Sequence, residues 1–254
     1  MQPIEIEKLL KSGVHFGHLT RKWNPAMAPY IFMERNGIHI IDLKKTAAKL
    51  DESRKALASI AASGKKILFV ATKKQAKEIL EEQMKGLNMP YITERWPGGM
   101  LTNFVTIRKA IKKMQTIDKM IADGTFDSLS KRERLQVTRQ RAKLEKQLGS
   151  IADMNRLPGA IFIVDIMREH IAVKEAQKLN IPTFALVDTN SNPNEVDFAI
   201  PGNDDASKAI KVILEYVTDA VKEGLSARKA DKDEAPAEKK EKKAAKKEEA
   251  SAAK

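Results

Sequence analysis

Three short, nearly uninterrupted apolar runs punctuate an otherwise charged chain: Ile67–Ala71 (ILFVA), Ala160–Val164 (AIFIV) and Pro182–Val187 (PTFALV). Their length and β-branched and aromatic content predict strands buried on both faces of a sheet. Pro90–Thr93 and Phe198–Ile200 are shorter runs of the same kind. Between them apolar residues recur at helical spacing. Leu43, Ala47, Leu50, Leu57, Ile60 and Ala61 lead up to Gly64, and Ala76, Ile79, Leu80 and Met84 mark a helix over 73–85. A further helix is expected over 168–179. A last one, over 205–223, carries Ile210, Ile213, Val217 and Val221 on one stripe and is capped from Asn203, Asp204 or Asp205. Strands alternating with helices predict a parallel sheet covered on both faces.

Two stretches depart from this alternation. Near the start, 3–12 is a short helix and 13–25 is irregular. Asn36–Gly37 between the apolar runs Tyr30–Met33 and Ile38–Asp42 then predicts an antiparallel hairpin. In the middle, Phe104, Ile107, Ile111, Met114, Ile117 and Ile121 form one helical stripe, ended by Asp123–Gly124. Ser130 and Glu133 have capping-box spacing, and Leu135, Thr138, Ala142, Leu144 and Leu148 lead on to Gly149. The segment predicts an inserted antiparallel helical hairpin, a coiled-coil arm roughly 30 Å long. The expected organisation is a discontinuous α/β domain over 1–102 and 151–224, the arm over 103–150, and a tail over 225–254. The tail's Lys, Ala and Glu are too polar to form a core, so it is expected to be disordered and dispensable for the fold.

The 254 residues include no cysteine, which excludes disulfides and thiolate metal sites. No apolar run is long enough to span a membrane, and MQPIEIEKLL lacks the blocks of a leader peptide, so a cytoplasmic protein is expected. The net charge of +12 is unevenly spread: +7 over 1–102, +7 over 103–150, −5 over 151–224 and +3 over 225–254. Such a split suits a protein with one side on a polyanion, its acidic half turned to protein or solvent.

Candidate chemistry follows the same division. The glycine-rich nucleotide loops and the nucleophile elbow are missing. Asp165, Asp188, Asp204 and Asp205 fall at expected strand ends, where α/β enzymes hold ligands. They define the alternative to an RNA-binding protein: a cytosolic α/β enzyme using Asp165 and Asp188 around a metal or phosphorylated ligand. His15 and His18, with His39, lack zinc-site spacing and read as packed side chains, so no metal or cofactor is expected. Arg21, Lys22 and Trp23, and again Arg95 and Trp96, pair cations with the two tryptophans, an arrangement that can stack on a base. Lysine pairs at 44–45, 65–66 and 73–74 suit phosphate contacts. The arm adds Arg108, Lys109, Lys112, Lys113, Lys131, Arg132 and Arg134 as RNA-binding candidates, with Arg139, Arg141 and Lys143 beside them.

Ten blocks together resemble one family. They are EKLLKSGVHFGH, RKWNP, RNGIHIIDL, ILFVATKKQA, RWPGGMLTN, DGTF, LPGAIFIVD, EHIAVKEA, IPTFALVDTNSNP and PGNDDA. In order and spacing, from about residue 5 to 224, they are similar to the bacterial and organellar ribosomal protein S-two family. The resemblance implies a flavodoxin-like three-layer α/β/α domain with an inserted helical hairpin and no enzymatic activity. It implies a seat on small-subunit ribosomal RNA near the head–body junction, among neighbouring small-subunit proteins. It also implies a part in docking the large mRNA-binding protein S-one. The tail lies outside the family pattern.

Overall fold

The computed structural model describes the backbone of residues 3–252 and the side chains of residues 3–229. Its centre is a five-stranded, wholly parallel sheet of β4 (Ile67–Val70), β5 (Tyr91–Ile92), β6 (Ala160–Val164), β7 (Thr183–Val187) and β8 (Phe198–Pro201). The spatial order β5-β4-β6-β7-β8 is that of a flavodoxin-like sheet. β4, β6 and β7 are buried at every position, which explains why their sequences read as continuous apolar runs.

The period of two sorts these strands into two cores. Phe69, Phe162 and Phe184 face one side, with Leu50, Leu57, Leu80, Ile213 and Val217. These come from α2 (Leu43–Ala62), α3 (Lys74–Met84) and α7 (Ser207–Ala252). Leu68, Val70, Ile161, Ile163 and Val187 face the other side, with Ala172, Val173 and Ala176 of α6 (His170–Lys178) and the root of the arm. Three layers result, and the arm grows from the α6 face.

A smaller antiparallel sheet sits beside the α/β body. Its hairpin joins β2 (Ile31–Arg35) and β3 (Ile38–Ile41), and both turn residues have positive φ, 53° at Asn36 and 71° at Gly37. That is the turn geometry Asn-Gly supports. The stretch expected to be irregular holds a third strand, β1 (Phe16–Leu19), paired with β3. Its residues, FGHL, are half exposed and contain glycine, so no apolar period marks them. The short first helix is α1 (Ile6–Lys11).

The arm consists of α4 (Phe104–Ala122) and α5 (Lys131–Leu148). Gly124, at φ 75°, follows the end of α4, and the Ser130–Glu133 capping box is formed at the start of α5. The face of α5 differs from the sequence reading. Leu135 is 51% exposed and Thr138 and Ala142 are exposed as well, whereas Arg134, Val137, Arg141, Leu144 and Leu148 turn inward. Two arginines occupy seam positions, so counting apolar residues alone set the phase wrong. Arg141 lies over the seam and binds Asp118 across it, with Glu145 at 2.6 Å on its own helix.

α7 also departs from expectation, since Gly224 lies inside the helix. Leu225 packs against the core, and a Cβ at Gly224 would clash with the Ala58 carbonyl oxygen and lie 2.9 Å from Ala61 Cβ. This glycine lets α7 approach α2 closely. The disorder expected of 225–254 falls almost wholly on residues beyond 229, whose side chains lie outside the described residues. Among the described residues no helix is long and apolar enough to cross a membrane.

Candidate functional site

The carboxyl ends of the sheet strands converge on one polar cluster. Lys73 follows β4, Asp165 follows β6, Asp188 follows β7 and Asp204 lies just beyond β8. Asp165 holds a left-handed φ of 69°, and its carboxylate accepts the Arg168 N–H at 3.1 Å. Lys73, expected to face phosphates, turns inward instead. Its Nζ lies 2.7 Å from Asp204, 2.6 Å from Asp205 and 3.5 Å from Asp165. Burial alone would lower its pKa, but the hydrogen bond and charge of Asp204, with those of Asp205 and Asp165, raise it. Asp204 is completely buried; burial first, then repulsion from Asp188 and Asp165, pushes its carboxyl up to about 7 against the pull of Lys73.

β1 delivers His18 to the same cluster. Its Nδ1 is 3.1 Å from Asp188 Oδ1 and its Nε2 is 3.3 Å from Asp205 Oδ2. The hydrogen bond with Asp188 raises the imidazole pKa, outweighing burial. The sequence offered His15 as the partner of His18, but His15 packs on Phe16 and burial lowers its pKa. The true neighbours of His18 lie about 170 residues on, at a spacing no zinc motif shows. Asn203 rather than either aspartate receives the chain before α7, accepting the N–H groups of Asp205 at 2.8 Å and Ala206 at 3.1 Å.

The two tryptophans part company. Trp23 follows the exposed Arg21 and Lys22, is 38% exposed, and rests on His39 with ring centroids 5.1 Å apart. Trp96 is only 5% exposed, so its ring is core and leaves Arg95 alone at the surface. The Trp96 indole N–H donates to Glu175 at 3.1 Å. The same carboxylate accepts the backbone N–H groups of Gly99 at 2.7 Å, Leu101 at 2.9 Å and Thr102 at 3.1 Å. Burial opposes ionisation of Glu175, yet the Thr102 and Leu101 amides, Trp96 and Gly99 together hold its pKa below the ordinary value. One buried carboxylate on α6 therefore fixes the loop from which the arm springs. Sequence reading missed Glu175 because nothing local distinguishes it from other helical glutamates.

On the arm, Lys109, Lys112, Lys113, Lys131 and Arg132 are exposed, and among the described residues none of the five has an ion pair. Arg108, Lys109 and Lys112 line an open cleft of about 480 Å³ with Phe104, Val105, Asn155, Arg156 and Leu157. Arg108 Nη1 donates to the Asn155 carbonyl at 2.6 Å, which steadies one wall. Arg134 is turned back into the arm, donating from Nε to the Leu129 carbonyl at 3.0 Å and pairing with Asp127 at 3.6 Å. Unpaired cations at this density repel one another and gain nothing for folding.

A three-layer α/β body carries a cationic arm anchored by a buried carboxylate, and ion pairs link the side chains at its strand ends. The sequence profile of the family described as Ribosomal protein S2 matches residues 9–224. The chain is 72% identical over 235 residues to Small ribosomal subunit protein uS2 of Flavobacterium johnsoniae, covering 92% of each chain. It is 71% identical to the protein of the same name from Christiangramia forsetii, over 90% of this chain and 76% of that one. With the counterpart from Parabacteroides distasonis the identity is 65%, over 93% and 85%. The chain belongs to the Ribosomal protein S2 family. Members of this family are structural proteins, and the alternative of an enzyme acting through Asp165 and Asp188 is not supported.

Proposed function

We propose that this protein is a structural constituent of the small ribosomal subunit, working in the cytoplasm and seated on small-subunit ribosomal RNA near the head–body junction. The observation that carries this reading is the family match across residues 9–224. The unpaired cations of the arm support a contact with RNA phosphates through Lys109, Lys112, Lys113, Lys131 and Arg132. Arg21 and Lys22 supply further exposed cations beside Trp23, which is open for stacking, and Arg95 is exposed separately after β5. In this reading the protein works as an α/β body over 1–102 and 151–224, an RNA-contacting arm over 103–150 and a tail over 225–254. The acidic 151–224 half faces neighbouring ribosomal proteins or solvent. Docking of the mRNA-binding protein S-one is supported by an apolar patch of Ile6, Leu10, Phe16, Phe32 and Met33, in which Phe32 is 69% exposed.

Photocrosslinking of the chain bound to small subunits tests the assignment. Crosslinks to RNA should concentrate on the arm and on residues 21–23 and 95. A map concentrated on α6 and α7, or a chain that fails to co-sediment with small subunits at high and low magnesium alike, would overturn it.

A further inference from the structure

Near the start of α4, Val105, Arg108, Lys109 and Lys112 recur at spacings of three and four and form one stripe beside the buried seam of Ile111 and Met114. Val105 interrupts the cations and is 68% exposed. Opposite it the loop after the arm brings Asn155, Arg156 and Leu157, and Leu157 is 43% exposed. Together with Phe104 these residues line the open cleft of about 480 Å³ at the root of the arm. Its apolar surface comes from Phe104, Val105 and Leu157, its rim carries four cations, and no acid lines it. Among the described residues none of the four, Arg108, Lys109, Lys112 and Arg156, has an ion pair. A water-facing valine and leucine inside a ring of unpaired cations suit a ligand with an apolar centre and anionic edges.

We infer, resting on the reading that the arm contacts RNA, that this cleft holds the base of one unpaired RNA nucleotide, with the flanking phosphates on its rim. Sites for single strands combine a cationic groove along the backbone with side chains on which a base stacks. Phe104 supplies the aromatic surface, and Val105 and Leu157 the apolar walls. Arg108 adds a second flat face. Its Nη1 donates to the Asn155 carbonyl at 2.6 Å, which holds the guanidinium plane against the cleft wall. Asn155 itself lines the cleft, and an amide side chain meets both donors and acceptors of a base edge.

The base must be unpaired. A duplex keeps its base faces in the stack, so it would touch only the rim and leave Val105 and Leu157 in water. An acidic peptide would match the same charges. RNA is favoured because the rim continues into the unpaired cations of the arm: Lys109 and Lys112 belong to both, and Lys113 follows. A nucleotide seated here therefore extends a backbone that the arm already follows. The platform is also rigid. Phe104 packs in part against the core, and the loop just before it is fixed by Glu175 through Gly99, Leu101 and Thr102.

The test uses the full chain and a short single-stranded RNA with 2-aminopurine at its centre, read by fluorescence. The same strand annealed to its complement, and the same strand with an abasic centre, are the comparisons. The intact single strand should bind about tenfold more tightly than either, with its fluorescence quenched by stacking. Phe104→Leu should weaken binding of the intact strand about tenfold and leave the abasic strand and the salt slope unchanged. Met33→Ala, outside the cleft, should change none of these. Equal affinity for all three probes, with a steep salt slope, overturns the cleft and leaves the arm's phosphate contacts standing. A folded Phe104→Leu chain that binds the intact strand as tightly as wild type does the same. Loss of all salt-dependent RNA binding by the wild type overturns both readings. A photoreactive phenylalanine analogue in place of Val105 should crosslink to RNA in assembled small subunits. Crosslinking to protein alone overturns the proposal in favour of an acidic peptide.

Discussion

Glu175 and Trp96 are joined by a 3.1 Å hydrogen bond across 79 positions of sequence. The bond links the helix behind the sheet to the loop that launches the arm. Because the same carboxylate also holds the amides of Gly99, Leu101 and Thr102, the direction of α4 is set from α6. A charged acceptor in a buried position makes strong hydrogen bonds and leaves several donors orphaned when it is removed.

Glu175→Ala should therefore lower stability by about 3 kcal/mol, mostly through buried amides left unpaired. The pH dependence follows from the depressed pKa. Its contribution is fully present above the unfolded value of 4.5 and is lost as pH falls through the lower folded value. Denaturant unfolding of wild type and Glu175→Gln between neutral pH and acid checks this. The difference between them should shrink below pH 4.5 and be constant above it.

The tryptophans should give opposite phenotypes. Trp96→Ala should cost about 3–5 kcal/mol, as a large core side chain does. Trp23→Ala should leave the unfolding midpoint nearly unchanged and reduce RNA affinity. Equal losses of stability would contradict the contrast in burial between them.

Gly224→Ala inverts the usual helix rule. Alanine is favoured over glycine by about 1 kcal/mol in a helix interior. Here its Cβ would overlap the Ala58 carbonyl and crowd Ala61. Overpacking of this kind costs about 1–3 kcal/mol, so net destabilisation is expected. A raised midpoint would show that α2 and α7 can move apart at no expense.

Truncation locates where α7 ceases to matter for the fold. Leu225 packs against the core, so removing residues from 225 onward should lower the thermal midpoint. Removing only 230–254 should not, given their Lys, Ala and Glu composition. Equal midpoints for both truncations would mean that Leu225 contributes nothing.

What the sequence made legible was the part governed by period and turn chemistry. The buried strands Ile67–Val70, Ala160–Val164 and Thr183–Val187, the Asn36–Gly37 turn and the Ser130 capping box all follow from local residues. The misses were set by partners distant in the chain. β1 exists because β3 pairs with it, not because FGHL is a strong strand sequence. Arg141 lies at a seam position because Asp118, 23 residues back on α4, receives its charge, which moved the apparent stripe of α5. Trp96, Lys73 and His18 each turn toward a carboxylate at least 79 residues away, and no spacing along the chain announces that.

The central claim is that the arm contacts RNA through its unpaired cations. It is tested most directly by the salt dependence of RNA affinity in a quadruple variant, Lys109, Lys112, Lys113 and Arg132 to Gln. All four side chains are exposed, and the inward stripe of Ile111, Met114 and Ile117 is untouched. Affinity for small-subunit RNA should fall, and the slope of log affinity against log salt should flatten by roughly one unit per lost phosphate contact, with helix content unchanged. An unchanged slope in a stably folded variant would contradict the claim and leave the arm as an architectural element or a surface for protein.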